Sequence, residues 1–100
     1  MPSRVKIFNI NDLSLKVATL KRNGNKIIHC HGVFDLIHPG HVRHFQSAKV
    51  LGDVLVVTIT SDPYVNKGPG RPVFSEKLRA ESVAALECVD YVVINYSYNA

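Results

Sequence analysis

Four of the chain's five histidines fall between residues 29 and 41, and the fifth, His44, follows within one more helical turn. The densest chemistry lies in the run His31-Gly32-Val33-Phe34-Asp35-Leu36-Ile37-His38-Pro39-Gly40-His41-Val42-Arg43-His44. An imidazole titrates near neutrality and can donate or accept at either ring nitrogen. His38 and His41 stand three apart, a spacing that lets both side chains reach one oxygen-rich group from the same side of a turn. Pro39 between them suits a first helical turn, where its missing N–H is no loss. Gly40 has no side chain to keep a ligand from the backbone. Free N–H groups at a helix start, reinforced by the helix dipole, favour an anion. Residue type and spacing therefore predict a phosphate site at a strand-to-helix turn.

The flanking patterns supply that strand and that helix. Ile27-Ile28-His29-Cys30 is long enough for a buried strand, and Val42, Phe45, Ala48 and Leu51 recur at every third position after the turn. Upstream, residues 1–4 are expected to be loose, and Asn11 or Asp12 caps a short helix with Leu13, Val17 and Leu20 on one face. Asn23-Gly24 closes that helix. Downstream, residues 54–60 form a continuous β-branched run, the signature of a strand covered on both faces. Ser61-Asp62-Pro63 ends it, and residues 66–73 form a Gly/Pro loop that carries Lys67 and Arg71. Ser75 caps a further helix whose apolar row reads Leu78, Ser82, Ala85, Leu86, Val89, and residues 91–94 form a last strand. Strands alternating with helices predict an α/β fold with a parallel sheet, most simply a doubly wound Rossmann-like one. Ligands of such sheets sit beyond the carboxyl ends of the strands, where the His38 turn, Asp62 and the basic loop all fall.

The totals narrow the class. One hundred residues, 46% hydrophobic and 20% charged, make one small globular domain rather than a disordered chain. A net charge of +4 suits an anionic ligand. It also allows loose nucleic-acid contact, but the interleaved basic and aromatic residues of a base-stacking surface are missing. No stretch approaches a membrane span and the N-terminus has no apolar signal core, so a cytoplasmic location is expected and no membrane partner. Cys30 and Cys88 make no disulfide framework or Cys-x-x-Cys motif. A zinc site from His29, Cys30, His31, His38 and His41 is disfavoured, because adjacent strand residues point to opposite faces.

Gly32-Val33-Phe34-Asp35, two residues, then His38-Pro39-Gly40-His41 resembles the signature of the nucleotidyltransferase superfamily with the His-x-Gly-His motif. That superfamily includes glycerol-3-phosphate cytidylyltransferase and the adenylyltransferase domain of ADP-heptose synthase. The stretch Lys67-Gly68-Pro69-Gly70-Arg71-Pro72-Val73, with Arg79 and Val89-Asp90-Tyr91-Val92-Val93, is closer to the heptose-type branch. The likeness runs from about residue 26 to 94. It implies that His38 and His41 contact nucleotide phosphates, with Lys67 as the third catalytic residue. It implies nucleotide contacts at Gly32, Val33, Phe34, Asp35, Gly40, Asp62 and Arg79, with Arg71 ranked behind these. Asp35 lies near the phosphates or a Mg²⁺ in that picture, or else braces the turn by hydrogen bonding. His31 borders the site, and His29 and His44 lie outside it.

The implied reaction is transfer of a nucleoside monophosphate from a nucleoside triphosphate to a phosphorylated sugar or polyol, releasing pyrophosphate. ATP is favoured over CTP, and Mg²⁺ arrives with the nucleotide. Relatives are commonly homodimers, and some are fused to a sugar kinase. They also continue past the last strand to a second segment that grips the triphosphate, and nothing after Ile94 supplies one. The chain then reads as the front part of the domain, and the alternative is a nucleotide-binding or regulatory fragment without turnover.

Overall fold

The computed structural model describes residues 3–65 and 68–96. Four parallel strands lie in the order β1-β4-β3-β2: β1 is Ile7–Phe8, β2 Ile27–Gly32, β3 Val54–Thr60 and β4 Tyr91–Asn95. Helices α1 (Ile10–Arg22), α2 (Pro39–Val50) and α3 (Glu76–Ala84) alternate with them. On one sheet face, Leu55, Val57 and Ile59 of β3 pack with Phe45 and Ala48 of α2 and with Ala80, Val83 and Ala84 of α3. On the other, Val54, Val56 and Val93 pack with Leu13 of α1. The fold is thus the expected Rossmann-like α/β arrangement, with helices on both faces. The unbroken β-branched run at 54–60 is apolar because both of its faces are covered. Burying Leu55, Ile59 and Phe45 stabilises the fold by about 1.5–3 kcal/mol each before entropy is subtracted.

Several elements differ from the sequence expectation for local reasons. Asn9 caps α1, rather than Asn11 or Asp12. Its side-chain oxygen accepts from the Asp12 N–H at 2.8 Å, and its amide donates to the Asp12 carboxylate at 2.9 Å. Ser3 and Arg4, expected to be loose, belong to a 3₁₀ turn over Ser3–Lys6, while residues 1 and 2 lie outside the described residues. β1 has only two residues, paired Ile7↔Val92 and Phe8↔Val93, too few to leave a periodic signal. β2 runs on to Gly32 because its ladder with β3 continues through His31↔Thr58 and Gly32↔Ile59.

α3 departs furthest. Ser75 caps it as expected, accepting from the Leu78 N–H. Its buried face, however, is Arg79, Ala80, Val83 and Ala84, while Leu78, Ser82 and Ala85 are exposed. A buried arginine sits where a hydrophobic pattern expects solvent, and that turns the whole face.

Because all strands are parallel, β2, β3 and β4 end on one edge of the sheet, at Gly32, Thr60 and Asn95. The turn from β2 into α2 crosses that edge. At the opposite edge the Asp90 carboxylate accepts from the Leu55 N–H and from Lys49 Nζ, tying the end of α2 to the start of β3.

Candidate functional site

The site begins where β2 stops. Phe34 takes a left-handed backbone conformation, φ 53°, which a bulky residue adopts only when its surroundings enforce it. Its ring folds back over Gly32, where a Cβ would lie 2.7 Å from the ring's Cζ. The same ring packs on Phe45, centroids 5.0 Å apart, and edge-on to His41 at 5.7 Å. Gly32 is therefore glycine to seat Phe34. Among the described residues, the N–H groups of Phe34, Asp35 and Leu36 meet no acceptor, leaving a turn lined with donors. Such a turn is an anion-binding concavity.

His38 and His41 cap α2 reciprocally. His38 Nδ1 accepts the Gly40 N–H at 3.0 Å, and His41 Nδ1 accepts the His38 N–H at 3.2 Å. A ring nitrogen that accepts carries no proton, so each neutral imidazole holds its proton on Nε2. The two rings are in contact, centroids 4.0 Å apart and planes inclined by 40°. Burial, then the neighbouring His38 and His44, pushes the pKa of His41 below that of a free histidine. The Gly40 N–H is taken by His38, and the His41 and Val42 N–H groups both go to the His38 carbonyl. Helix-start amides are thus spent internally, and Nε2–H of the imidazoles is what remains to offer an anion. Gly40 likewise makes room for the His38 ring, whose Cε1 would sit 2.7 Å from an added Cβ.

Asp35 braces. One oxygen accepts the Phe74 N–H at 2.8 Å; the other accepts the Val73 N–H at 2.8 Å and Arg71 Nη1 at 3.1 Å. Desolvation raises the carboxyl's pKa, but the Phe74 and Val73 amides and the Arg71 guanidinium outweigh it and hold it below the ordinary value. The bracing reading, not the ligand-contact one, describes this carboxylate.

Arg79, expected as a nucleotide contact, is committed internally, whereas Asp62, expected as another, gives one carboxylate oxygen to it and keeps its side chain 38% exposed. Arg79 is fully buried. Its Nε donates to the Phe74 carbonyl, Nη1 to the Val33 and Thr60 carbonyls, and Nη2 to Asp62 at 2.6 Å. It therefore clamps the carboxyl ends of β2 and β3 to the segment that opens α3. A cation near a helix start needs such partners, since the dipole opposes it. Arg79 has no exposed surface, and Asp62 is its counter-charge. Lys67 lies outside the described residues.

The remaining histidines separate. His29 Nε2 and His31 Nδ1 both hydrogen-bond the Thr58 hydroxyl, at 2.8 and 2.6 Å, on the sheet face that α1 covers. Cys30 points the other way, with His44 at 3.9 Å. Burial, then the Cys88 thiol, raises the Cys30 pKa, so the thiol stays protonated. No group of three or more potential metal ligands forms among the described residues. Asp35 Oδ2 accepts two hydrogen bonds and Oδ1 one, so Oδ1 is the oxygen with a lone pair left for a Mg²⁺.

The site's hollow is a cavity of about 280 Å³ lined by Val33, Phe34, Asp35, Leu36, His41 and Arg71. A shallower groove of about 490 Å³ on the far side of the imidazole pair is lined by His38, Pro39, Val42, Arg43 and Gln46, among others. The structure thus brings together His38, His41, the Val33–Asp35 turn and Arg71. Arg71, which the sequence ranked behind the other cations, lines the cavity.

Comparison with known proteins agrees with this geometry. The chain is 47% identical over 94 residues to the bifunctional protein HldE of Geobacter metallireducens, covering 92% of this chain and 19% of that protein. It is 51% identical over 78 residues to HldE of Helicobacter pylori, covering 76% and 17%. The chain thus spans about a fifth of the curated relatives it matches. Among solved structures, the lipopolysaccharide core biosynthesis protein of Thermoplasma volcanium superposes with a TM-score of 0.67 at 30% identity, covering 72% of this chain and 59% of that one. The cytidylyltransferase-like family matches residues 29–99, which include the whole β2–α2 turn and the Asp35–Arg71 brace. The chain belongs to the cytidylyltransferase-like family.

Proposed function

We propose that the chain is a nucleotidyltransferase unit that moves a nucleoside monophosphate from a triphosphate to a phosphorylated sugar or polyol. A phosphate oxygen of the acceptor attacks the α-phosphorus in line, the bond to the bridging oxygen breaks, and pyrophosphate leaves with that oxygen and its electron pair. Such chemistry needs positioning and neutralisation of charge more than a covalent intermediate. Family membership and the two HldE relatives support transfer of this class. ATP as donor and a heptose 1-phosphate as acceptor are the finer reading, drawn from the likeness of the 67–73 loop to the heptose-type branch, with CTP as the alternative donor. Mg²⁺, where present, comes with the triphosphate. That the HldE relatives are bifunctional supports a second unit beside this one, for which we propose a sugar kinase.

One observation carries the reading: the reciprocal cap leaves the two neighbouring imidazoles with their Nε2 protons unspent among the described residues, and His41 lines the cavity. Each imidazole then donates to a phosphoryl oxygen as negative charge gathers in the transition state. Arg79 holds the turn that presents them.

Pyrophosphate release, measured with ATP or CTP and a panel of sugar phosphates, tests this. Turnover that falls at least a hundredfold in H41A, with the far-ultraviolet spectrum unchanged, is expected. Undiminished turnover in H41A removes the imidazole from the mechanism. Nucleotide binding without turnover in every combination supports the binding-only alternative instead.

A further inference from the structure

We propose that Arg71 grips a phosphoryl oxyanion of a substrate in the cavity opposite His41. The inference rests on reading the cavity as a phosphate site, and goes beyond it by assigning the cation.

Arg71 and His41 are the two basic side chains that line the cavity. The Arg71 side chain is 38% exposed, and among the described residues it spends a single donor, Nη1, on Asp35. A guanidinium has five N–H donors in a planar fork that matches phosphate oxygens two at a time. Most of that fork is open.

Asp35 does not depend on Arg71. Its two oxygens each keep a backbone N–H at 2.8 Å, from Val73 and Phe74. The guanidinium can therefore turn toward an incoming anion without stranding the carboxylate, which is only 9% exposed. Meanwhile the Asp35 contact keeps the fork oriented at the rim, so less side-chain freedom is lost on binding. Phe34, Asp35 and Leu36 of the turn line the same cavity. At about 280 Å³ the cavity is smaller than the ~300–1,000 Å³ that hold a whole small molecule. It suits a phosphate or diphosphate group and leaves the nucleoside outside.

That group belongs either to the nucleotide or to the acceptor, and binding measurements on the full chain separate the two. R71A and R71K are titrated with inorganic pyrophosphate, ATP and glucose 1-phosphate at fixed ionic strength, by calorimetry. R71A is expected to weaken at least one probe by about tenfold or more. Lysine is expected to restore part of that loss, because it keeps the charge and loses the fork. Loss confined to pyrophosphate and ATP assigns the nucleotide's phosphates; loss confined to glucose 1-phosphate assigns the acceptor's. If wild type and R71A bind all three probes equally while H41A does not, this inference falls and the phosphate site stands. If wild type binds none of the three, the phosphate-site reading itself is overturned, and this assignment with it.

Discussion

Two arginines flank Phe74, and the carboxyl end of the sheet treats them in opposite ways. Behind the β2–α2 turn, Arg79 is sealed from solvent and its three nitrogens spend themselves on the Val33, Thr60 and Phe74 carbonyls and on Asp62. At the rim, Arg71 gives one contact to Asp35 and leaves the rest of its fork facing the cavity. In the first region all three guanidinium nitrogens donate to protein acceptors, and only the buried Ser61 hydroxyl beside them lacks a partner among the described residues. The second keeps unspent donors: the Arg71 fork, the imidazole Nε2 protons and the turn's N–H groups. A closed network holds an open one in place, and a ligand can be recognised only by the open one.

Breaking the closed side should cost most. R79A is expected to destabilise the fold by about 3–5 kcal/mol, because it leaves carbonyls unpaired and empties a buried volume. Urea denaturation followed by circular dichroism measures it; a loss below about 1 kcal/mol would mean that water replaces the clamp. Next comes the hinge between the two regions. G32A places a methyl 2.7 Å from the Phe34 ring and should cost about 1–3 kcal/mol, with pyrophosphate affinity falling as the ring and His41 shift.

A smaller effect is expected from acid. The fold depresses the pKa of His41, through burial first and then the neighbouring His38 and His44. The unfolded chain then binds more protons than the native one as pH falls past the ordinary histidine value of 6.5. Stability from this group is complete above that value and is lost as pH drops toward the depressed one. Denaturant midpoints between pH 7.5 and 5 should show the decline, and H41N, which keeps a side-chain acceptor at this position, should reduce it. Smallest is R71A at neutral pH, which should change stability by at most about 1 kcal/mol, as for other exposed pairs. A larger loss would place Arg71 in the scaffold and erase the contrast with Arg79.

Much of this molecule was written in local patterns. The β-branched run is β3 to the residue, Ser75 does cap α3, and the His-Pro-Gly-His segment does start a helix beyond a strand end. These features are legible because they depend on neighbours a few positions away: a period, a cap, a ring that suits a first turn. The order of strands and helices, and with it the edge where the site lies, followed from the same signals.

Tertiary structure alone decided how each polar group is used. Arg79 lies near a helix start and Arg71 in a loop, but neither position names the partner. The difference is made by the Val33 carbonyl, 46 positions from Arg79, and by Asp35, 36 positions from Arg71. The two-residue β1 exists only because β4 is there to pair with it, and the buried face of α3 turned because Arg79 found acceptors across the fold. A sequence states which groups can donate and accept. Which of them are already satisfied, and so which are left for a ligand, depends on partners that only the folded chain brings within about 3 Å.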